Sequence, residues 1–348
     1  MGGDSRSVDI LSASPLHPLA IEAIISSTEG TQYHVNGFSE AAHRVTEKLE
    51  KRRQQLENLL PGGSIWFTSS ADESATWAIR GLLSTNSRNG NRVDVKDDSH
   101  ISLINAAKRF GGNEGEVVVA AASAMDIETG RILNAEKWNH ELNERLSSPK
   151  RILDARGIIG RLPFDSICEF ADAIILDSES CSGPSGIAAL WIRRGIRIAP
   201  MIEGSGQELG RRGGNIPLGL VNAFVKVAIQ LDNEREQNCQ KWSDLHNLLE
   251  NGIIEKGGKI HGKNEDRVPG ITCFSMPGPP AEIYLQNLEE RGFIAAPSGG
   301  CSATAGKPSH VLTSMGIDSE EALRAIRISL EPNTNMKMLN ELIDAMVN

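Results

Sequence analysis

Along the first two thirds of the chain the apolar residues alternate between short unbroken runs and stretches in which they recur every third or fourth position. The short runs predict strands at Ser64–Thr68, Arg92–Val95, Glu116–Ala121, Arg151–Asp154, Ala173–Leu176 and Gly186–Ile192. The helical spacing predicts helices over Glu40–Leu60, Asp72–Leu83, His100–Phe110 and Asn134–Leu146. Strand and helix in turn imply a mostly parallel sheet covered on both faces, and a run such as Ala173–Leu176, with no polar position, fits a strand buried on both sides. From about Asn233 the rhythm changes to a helix, short strands around Ile271–Ser275 and Gly292–Ala295, and a closing helix at Asn335–Met346. The fold class is therefore α/β, with a large mostly parallel-sheet domain at 15–232 and a smaller α+β domain from 1–14 and 233–348. Sheets of this kind take ligands beyond the carboxyl ends of their strands, where Asp154 and Ser180 fall.

Composition narrows the functional classes. With 36 Lys and Arg against 45 Asp and Glu the net charge is −9, which argues against non-specific nucleic-acid binding. One basic cluster, Lys51-Arg52-Arg53, lies in a helical run of mixed charge and is expected on a solvated face. No apolar run approaches the roughly 20 residues of a membrane span. The polar start Met1–Val8 does not read as a secretory leader, and five cysteines, an odd number, fit a reducing compartment; the expectation is cytoplasmic. No C-x-x-C pair occurs and the eight histidines are scattered, so no metal set is read from spacing.

Several ordered blocks carry more specific information. Trp66-Phe67-Thr68-Ser69-Ser70-Ala71-Asp72-Glu73-Ser74, Asp98-Ser99-His100, Glu128-Thr129-Gly130 and Leu153-Asp154-Ala155 occur in that order. They are followed by Ser180 three residues before Gly183-Pro184, by Gly204 to Glu208 with Arg212 to Asn215, by Ser298-Gly299-Gly300-Cys301, and by Ile326-Arg327-Ile328-Ser329-Leu330. This series resembles the class-V aminotransferase fold of pyridoxal-phosphate enzymes, fold type I, and most closely the cysteine desulfurases. The resemblance covers nearly the whole chain.

By that resemblance, the block at Trp66–Ser74 is the phosphate cradle, His100 stacks on the pyridoxal ring, Asp154 pairs with the pyridine nitrogen and Ser180 occupies the place of the Schiff-base lysine. No lysine lies between Lys150 and Lys226, and neither of those two is placed beside the Gly-Pro turn. Asp72 stands where the family has a phosphate-binding threonine, and a carboxylate about 4 Å from a phosphate charge costs roughly 1–4 kcal/mol per charge pair. Without a phosphate, Ser70-Ala71-Asp72-Glu73 reads as an ordinary acidic helix start. Ile127 replaces the family asparagine, Gly157 the glutamine at the ring hydroxyl, and Asn215 the threonine that reaches a partner subunit's phosphate. A cofactor site needs such a shell as much as its direct contacts. Pyridoxal phosphate is accordingly expected to be absent or held only non-covalently.

The resemblance also places Cys301 at the persulfide-carrying position and Arg327 at the position that grips the substrate carboxylate. Cys181 beside Ser180 reads as a buried inert cysteine, with a metal ligand or a second thiol in the vacated pocket as the alternative. The leading expectation is a degenerate desulfurase relative that relays sulfur through Cys301, as a homodimer or as the partner of an active paralogue, with a sulfur acceptor or a scaffold protein beyond it. Two alternatives are an active enzyme holding pyridoxal phosphate without a covalent bond, and a structural or regulatory dimer subunit. No tail follows the closing helix, so scaffold docking through such a tail is not expected.

Overall fold

The computed structural model describes residues 6–9, 11, 14–28, 35, 37–299 and 306–346. They divide into two compact units: Leu16–Ala124 with Leu133–Asn233, and Met1–Pro15 with Met125–Ile132 and Glu234–Asn348.

The larger unit is built on a six-stranded sheet in the order Gly63–Thr68, Ala188–Arg193, Ala173–Asp177, Lys150–Asp154, Val117–Ser123, Arg92–Val95. The last four run parallel, and Ala188–Arg193 runs antiparallel to both of its neighbours. Each strand was legible from its apolar run, with boundaries moved by one or two residues. Helix Ala71–Asn86 buries Ala75, Trp77, Ala78, Ile79 and Leu82 against Ile152, Ala173, Ile175 and Leu190 of the sheet. Ser39, Ser70 and Asn134 accept a backbone N–H at three helix starts, where the first amides have no partner inside the helix.

One expectation of the sequence fails in this unit. Arg53 does not lie on a solvated face but is 5% exposed. Its Nη1 and Nη2 lie 2.9 and 2.6 Å from the two oxygens of Glu208, and Nη1 also donates to the Ile65 carbonyl. Glu208 accepts the Phe67 N–H at 2.7 Å as well. Charge alternation along a helix does not reveal that a distant carboxylate will draw one arginine inward. Glu208 and Leu209 reach this arrangement with φ of 47° and 55°, a left-handed backbone that costs an L residue on the order of 1–3 kcal/mol.

The smaller unit has a four-stranded antiparallel sheet in the order Ala296–Pro297, Ala325–Ser329, Ile271–Ser275, Lys259–Ile260. A short parallel pair joins Arg6–Ser7 to Phe293–Ile294. Helices Arg235–Glu255, Ala281–Glu290 and Met336–Ala345 supply Trp242, Leu249, Ile253, Leu288, Leu339 and Leu342 to a core shared with Phe274, Ile326 and Ile328. No helix among the described residues is long and apolar enough to cross a membrane.

Candidate functional site

In the larger unit, strand Lys150–Asp154 ends on a carboxylate that is 1% exposed. Two residues later Arg156 turns back over it. Its Nε lies 3.2 and 3.0 Å from the two Asp154 oxygens, and Nη2 lies 3.0 Å from Oδ2. Nη1 donates to Asp72 Oδ1 at 2.9 Å and meets His100 Nε2 at 3.1 Å, while Nη2 donates to Ser102 Oγ at 2.7 Å. Every nitrogen of this guanidinium therefore has a partner, and its side chain is 11% exposed. His100 Nδ1 lies 2.9 Å from Ser102 Oγ and accepts the Ser102 N–H at 3.2 Å, so the ring caps helix Ile101–Phe110 with one nitrogen while the other meets Arg156.

The electrostatics match that packing. Burial opposes the charge of Arg156, yet the negative charges of Asp154, Asp177 and Asp72 raise its affinity for the proton above the ordinary arginine value. For Asp72, partial burial pushes the carboxyl upward, but Arg156, His100 and the Ser102 hydroxyl outweigh it and hold the group below the usual carboxylate range.

Ser180 lies in a single helical turn, Glu179–Cys181, and is 6% exposed. Its Oγ donates to Asp177 Oδ1 at 2.6 Å and accepts the Gly157 N–H at 2.9 Å; its own N–H donates to Asp177 Oδ2 at 3.0 Å. Gly157 takes φ of 76°, a conformation that a side-chain-bearing residue rarely adopts. Gly183 opens the Gly-Pro turn so close to Ser178 that a Cβ would stand 2.2 Å from Ser178 Oγ. Cys181 donates to the Ser178 carbonyl at 3.0 Å, and burial followed by the charge of Asp177 pushes its thiol far above the ordinary range. It is an inert buried cysteine.

The helix start at Ala71 is satisfied by the chain itself. Ser70 Oγ accepts the Glu73 N–H at 3.1 Å, and Glu73 reaches back to the Ser69 N–H at 2.7 Å. Arg212 closes on Glu73 at 2.8 and 3.1 Å. These residues do not fit pyridoxal phosphate. The acceptors for a pyridine nitrogen and the ring histidine are committed to Arg156, the amine is a serine held at both ends, and the helix start carries Glu73 and Asp72 where a phosphate would bring two further negative charges. Arg156 escaped the sequence reading; the signal was a basic residue two positions beyond a strand-end aspartate. Asn215 is exposed in the same unit.

In the smaller unit Arg327 is 3% exposed and its fork is filled by a protein carboxylate. Nε lies 3.0 and 3.1 Å from the oxygens of Asp9, Nη2 donates to Asp9 Oδ2 at 2.8 Å, and Nη1 donates to the Ile127 carbonyl at 3.2 Å. Glu128, 6% exposed, accepts hydrogen bonds from Ser298 Oγ at 2.5 Å and Ser309 Oγ at 2.6 Å. Beside it Asp126 is buried, and burial followed by the charge of Glu128 pushes its carboxyl up to about 6. Cys301 lies outside the described residues, between these two serines. Among the described cysteines Cys168, Cys181 and Cys273 are buried; the Cys168 thiol is pushed up to about 12 and that of Cys273 higher, in both cases chiefly by burial. Among the described residues no group of three or more His, Cys, Asp or Glu could hold a metal ion.

No family model matches the chain. It is 27% identical to cysteine desulfurase IscS 1 of Archaeoglobus fulgidus over 350 residues, 92% of this chain and 91% of that protein. A cysteine desulfurase of Gluconacetobacter diazotrophicus is 29% identical over 363 residues, 94% of this chain and 89% of that one. Among solved structures, a NifS-like protein superimposes with a TM-score of 0.88 at 20% identity, covering 98% of this chain and 97% of that one.

Proposed function

We propose that this chain, similar along its length to cysteine desulfurases and sharing the fold of a NifS-like protein, handles sulfur through Cys301 without using pyridoxal phosphate. The single observation that supports this most is Arg156. A guanidinium occupies the hydrogen-bonding capacity of Asp154, His100 and Ser102, and its charge is balanced by Asp154 and Asp72. Removing it from those partners to admit a ring would strip a buried cation of two carboxylates, and nothing in the site would repay that.

What remains is transfer of sulfane sulfur that another protein has already activated. A donor persulfide presents its outer sulfur to the Cys301 thiolate; a new S–S bond forms, the donor's S–S bond breaks, and the donor leaves as a thiolate. No oxidant or reductant is consumed, and no carbanion has to be stabilised, so the step needs no pyridoxal ring. An active paralogue is the proposed donor and a thiol of an acceptor or scaffold protein in iron–sulfur or thio-modification metabolism the proposed recipient, in the cytoplasm. Pairing with such a paralogue, or with a second copy, is supported by exposed apolar side chains near the Arg212–Asn215 stretch, including Leu209 at 74% exposure.

The test is the visible spectrum of the purified protein after incubation with pyridoxal phosphate and desalting. The expected result is no retained absorbance for the natural sequence, and retained absorbance for a variant combining Ser180→Lys with Arg156→Ala and Asp72→Thr. Retained absorbance in the natural sequence would overturn the proposal and favour an active enzyme. For the relay itself, a persulfide mass shift on Cys301 after exposure to a persulfidated paralogue is expected, and its absence, with Cys301→Ala behaving as the natural protein, would reduce the chain to a structural subunit.

A further inference from the structure

The stretch between Glu73 and Asp94 and the stretch between Glu179 and Glu203 contain no acidic residue, in a chain whose net charge is −9. The fold lays them side by side in the larger unit. Helix Ala71–Asn86 belongs to the first, and the segment that follows strand Ala188–Arg193 belongs to the second. That segment is tied along the helix. The Thr85 hydroxyl donates to the Arg197 carbonyl at 2.9 Å, the Ala199 N–H to the Gly81 carbonyl at 3.2 Å, the Trp77 indole N–H to the Ala199 carbonyl at 2.8 Å, and Arg80 Nη1 to the Met201 carbonyl at 3.0 Å. At Gly81 the two approach so closely that a Cβ would stand 2.5 Å from Ile198. On the other side the Met201 N–H donates to the Arg211 carbonyl at 2.9 Å.

What this strip presents is arginine. Ile198 is buried, and Ile196 and Met201 pack half-buried on the same core, which leaves Arg197 exposed between two anchored isoleucines. Arg194 is exposed in the preceding turn, where Gly195 takes φ of 85° and the Ile196 N–H returns to the Arg193 carbonyl at 3.1 Å. Neither guanidinium has a hydrogen-bond or ion-pair partner among the described residues. Arg80 holds only the carbonyl and thioether of Met201, and Arg211 lies over the Trp66 ring at 4.7 Å without a carboxylate. Exposed arginines elsewhere behave differently: Arg6 closes on Glu341, Arg44 on Glu40 and Arg145 on Asp94. The backbone that carries the strip is fixed by its own bonds, so a partner has little ordering left to impose on it.

We propose that Arg80, Arg194, Arg197 and Arg211 form a docking surface for a partner protein that presents an acidic face. Arginine forks match carboxylates two bonds at a time, and unpaired charges of one sign steer a partner of the other. Aliphatic surface lies among them, Ile196 half-buried and Ile202 42% exposed, as where proteins meet, whereas the net charge of −9 opposes a nucleic-acid backbone at long range. The surface can seat the acceptor of the relay proposed above, but its test needs no sulfur and runs equally on Cys301→Ala. Fluorescence anisotropy of a labelled peptide of Glu-Glu-Leu repeats, titrated with the full chain, is expected to show saturable binding that weakens as salt is raised. Arg194→Glu with Arg197→Glu is expected to weaken it about tenfold, and Arg194→Gln with Arg197→Gln by less. Lys48→Glu with Lys51→Glu, the same change of charge at exposed positions of helix Glu40–Glu57, is expected to weaken it by less than about twofold. Absence of peptide binding, equal losses from the two charge-reversed pairs, or tighter binding of an RNA oligonucleotide through the same arginines would overturn the proposal. Failure of the relay appears separately, as a missing persulfide mass shift on Cys301 in a chain that still binds the peptide.

Discussion

Two buried charged clusters in this chain solve the same problem in opposite ways. In the larger unit one guanidinium, Arg156, is enclosed by the carboxylates of Asp154 and Asp72 and by His100 and Ser102, so that positive and negative charge are brought together inside the protein. In the smaller unit Asp126 and Glu128 are buried side by side, and the cation nearest to Asp126, Arg131 at 3.6 Å, is shared with Glu265. The first cluster neutralises itself through an ion pair; in the second, burial and the charge of Glu128 push the Asp126 carboxyl up to about 6, so that a proton neutralises it only below about that pH. A charge balanced by a fixed partner has lost its freedom to take a ligand. One balanced by hydroxyls and a proton keeps its geometry while remaining sensitive to what surrounds it.

The strongest way to break this contrast is to remove the arginine. Arg156→Met leaves the Asp154 carboxylate buried without its cation, and losing one partner of such a pair costs about 3–5 kcal/mol. Urea unfolding at neutral pH should show that loss. Adding Asp154→Asn to the same chain should recover most of it, since replacing both charges leaves nothing uncompensated. A loss below about 1 kcal/mol in the single variant would mean that Asp154 is reached by water and that the pocket is not filled as described.

The second cluster should respond to pH instead. Asp126 has a folded pKa raised from 3.8 to about 6, so the protein binds its proton more tightly than the unfolded chain does. Its contribution to stability is fully present below about pH 4 and is lost as the pH rises to about 6, a change on the order of 3 kcal/mol. Asp126→Asn removes that loss. Unfolding curves of the variant and the natural protein should therefore diverge in the variant's favour between pH 3.5 and pH 7.5. Adding Glu128→Gln to the natural background should shift the transition of Asp126 to lower pH, because the neighbouring charge is one of its causes. Curves that stay parallel across the interval would show that Asp126 is ionised throughout.

These clusters also mark where the sequence was readable and where it was not. The six sheet strands follow from apolar runs whose period is a property of the local chain, and Ser70, Ser39 and Asn134 announce helix starts by chemistry that acts over three residues. The order of the motif blocks located Asp154, His100 and Ser180 on one unit, where Asp154 ends an inner strand, His100 caps a helix and Ser180 lies in the helical turn after a strand. What could not be read was pairing at long range. Arg156 meets Asp72 across 84 positions, Arg53 meets Glu208 across 155, and Arg327 meets Asp9 across 318. In one dimension Arg53 looked like a surface charge, Arg327 like a ligand grip and Arg156 like nothing in particular, because the carboxylate that claims each has no local signature. Glu128 was visible as part of a block, yet its two serine partners lie 170 and 181 positions away, a pairing that spacing does not encode.

Asp72 sharpens the comparison at its weakest point. Its side chain is 68% exposed, unlike that of Asp154, although the same guanidinium binds both. Solvent screening therefore reduces the pair to a surface ion pair, and Asp72→Ala should cost only about 0.2–1 kcal/mol. The folded carboxyl lies below its ordinary value of 3.8, so this contribution is present above that pH and fades as the pH falls through the folded value. Raising the ionic strength should shrink it further, while the cost of Arg156→Met, set by a buried carboxylate, should hardly change. Denaturant midpoints of both variants at low and high salt read the distinction directly. If Asp72→Ala proved as costly and as salt-independent as Arg156→Met, Asp72 would be part of the buried lock on the pocket and not its exposed rim.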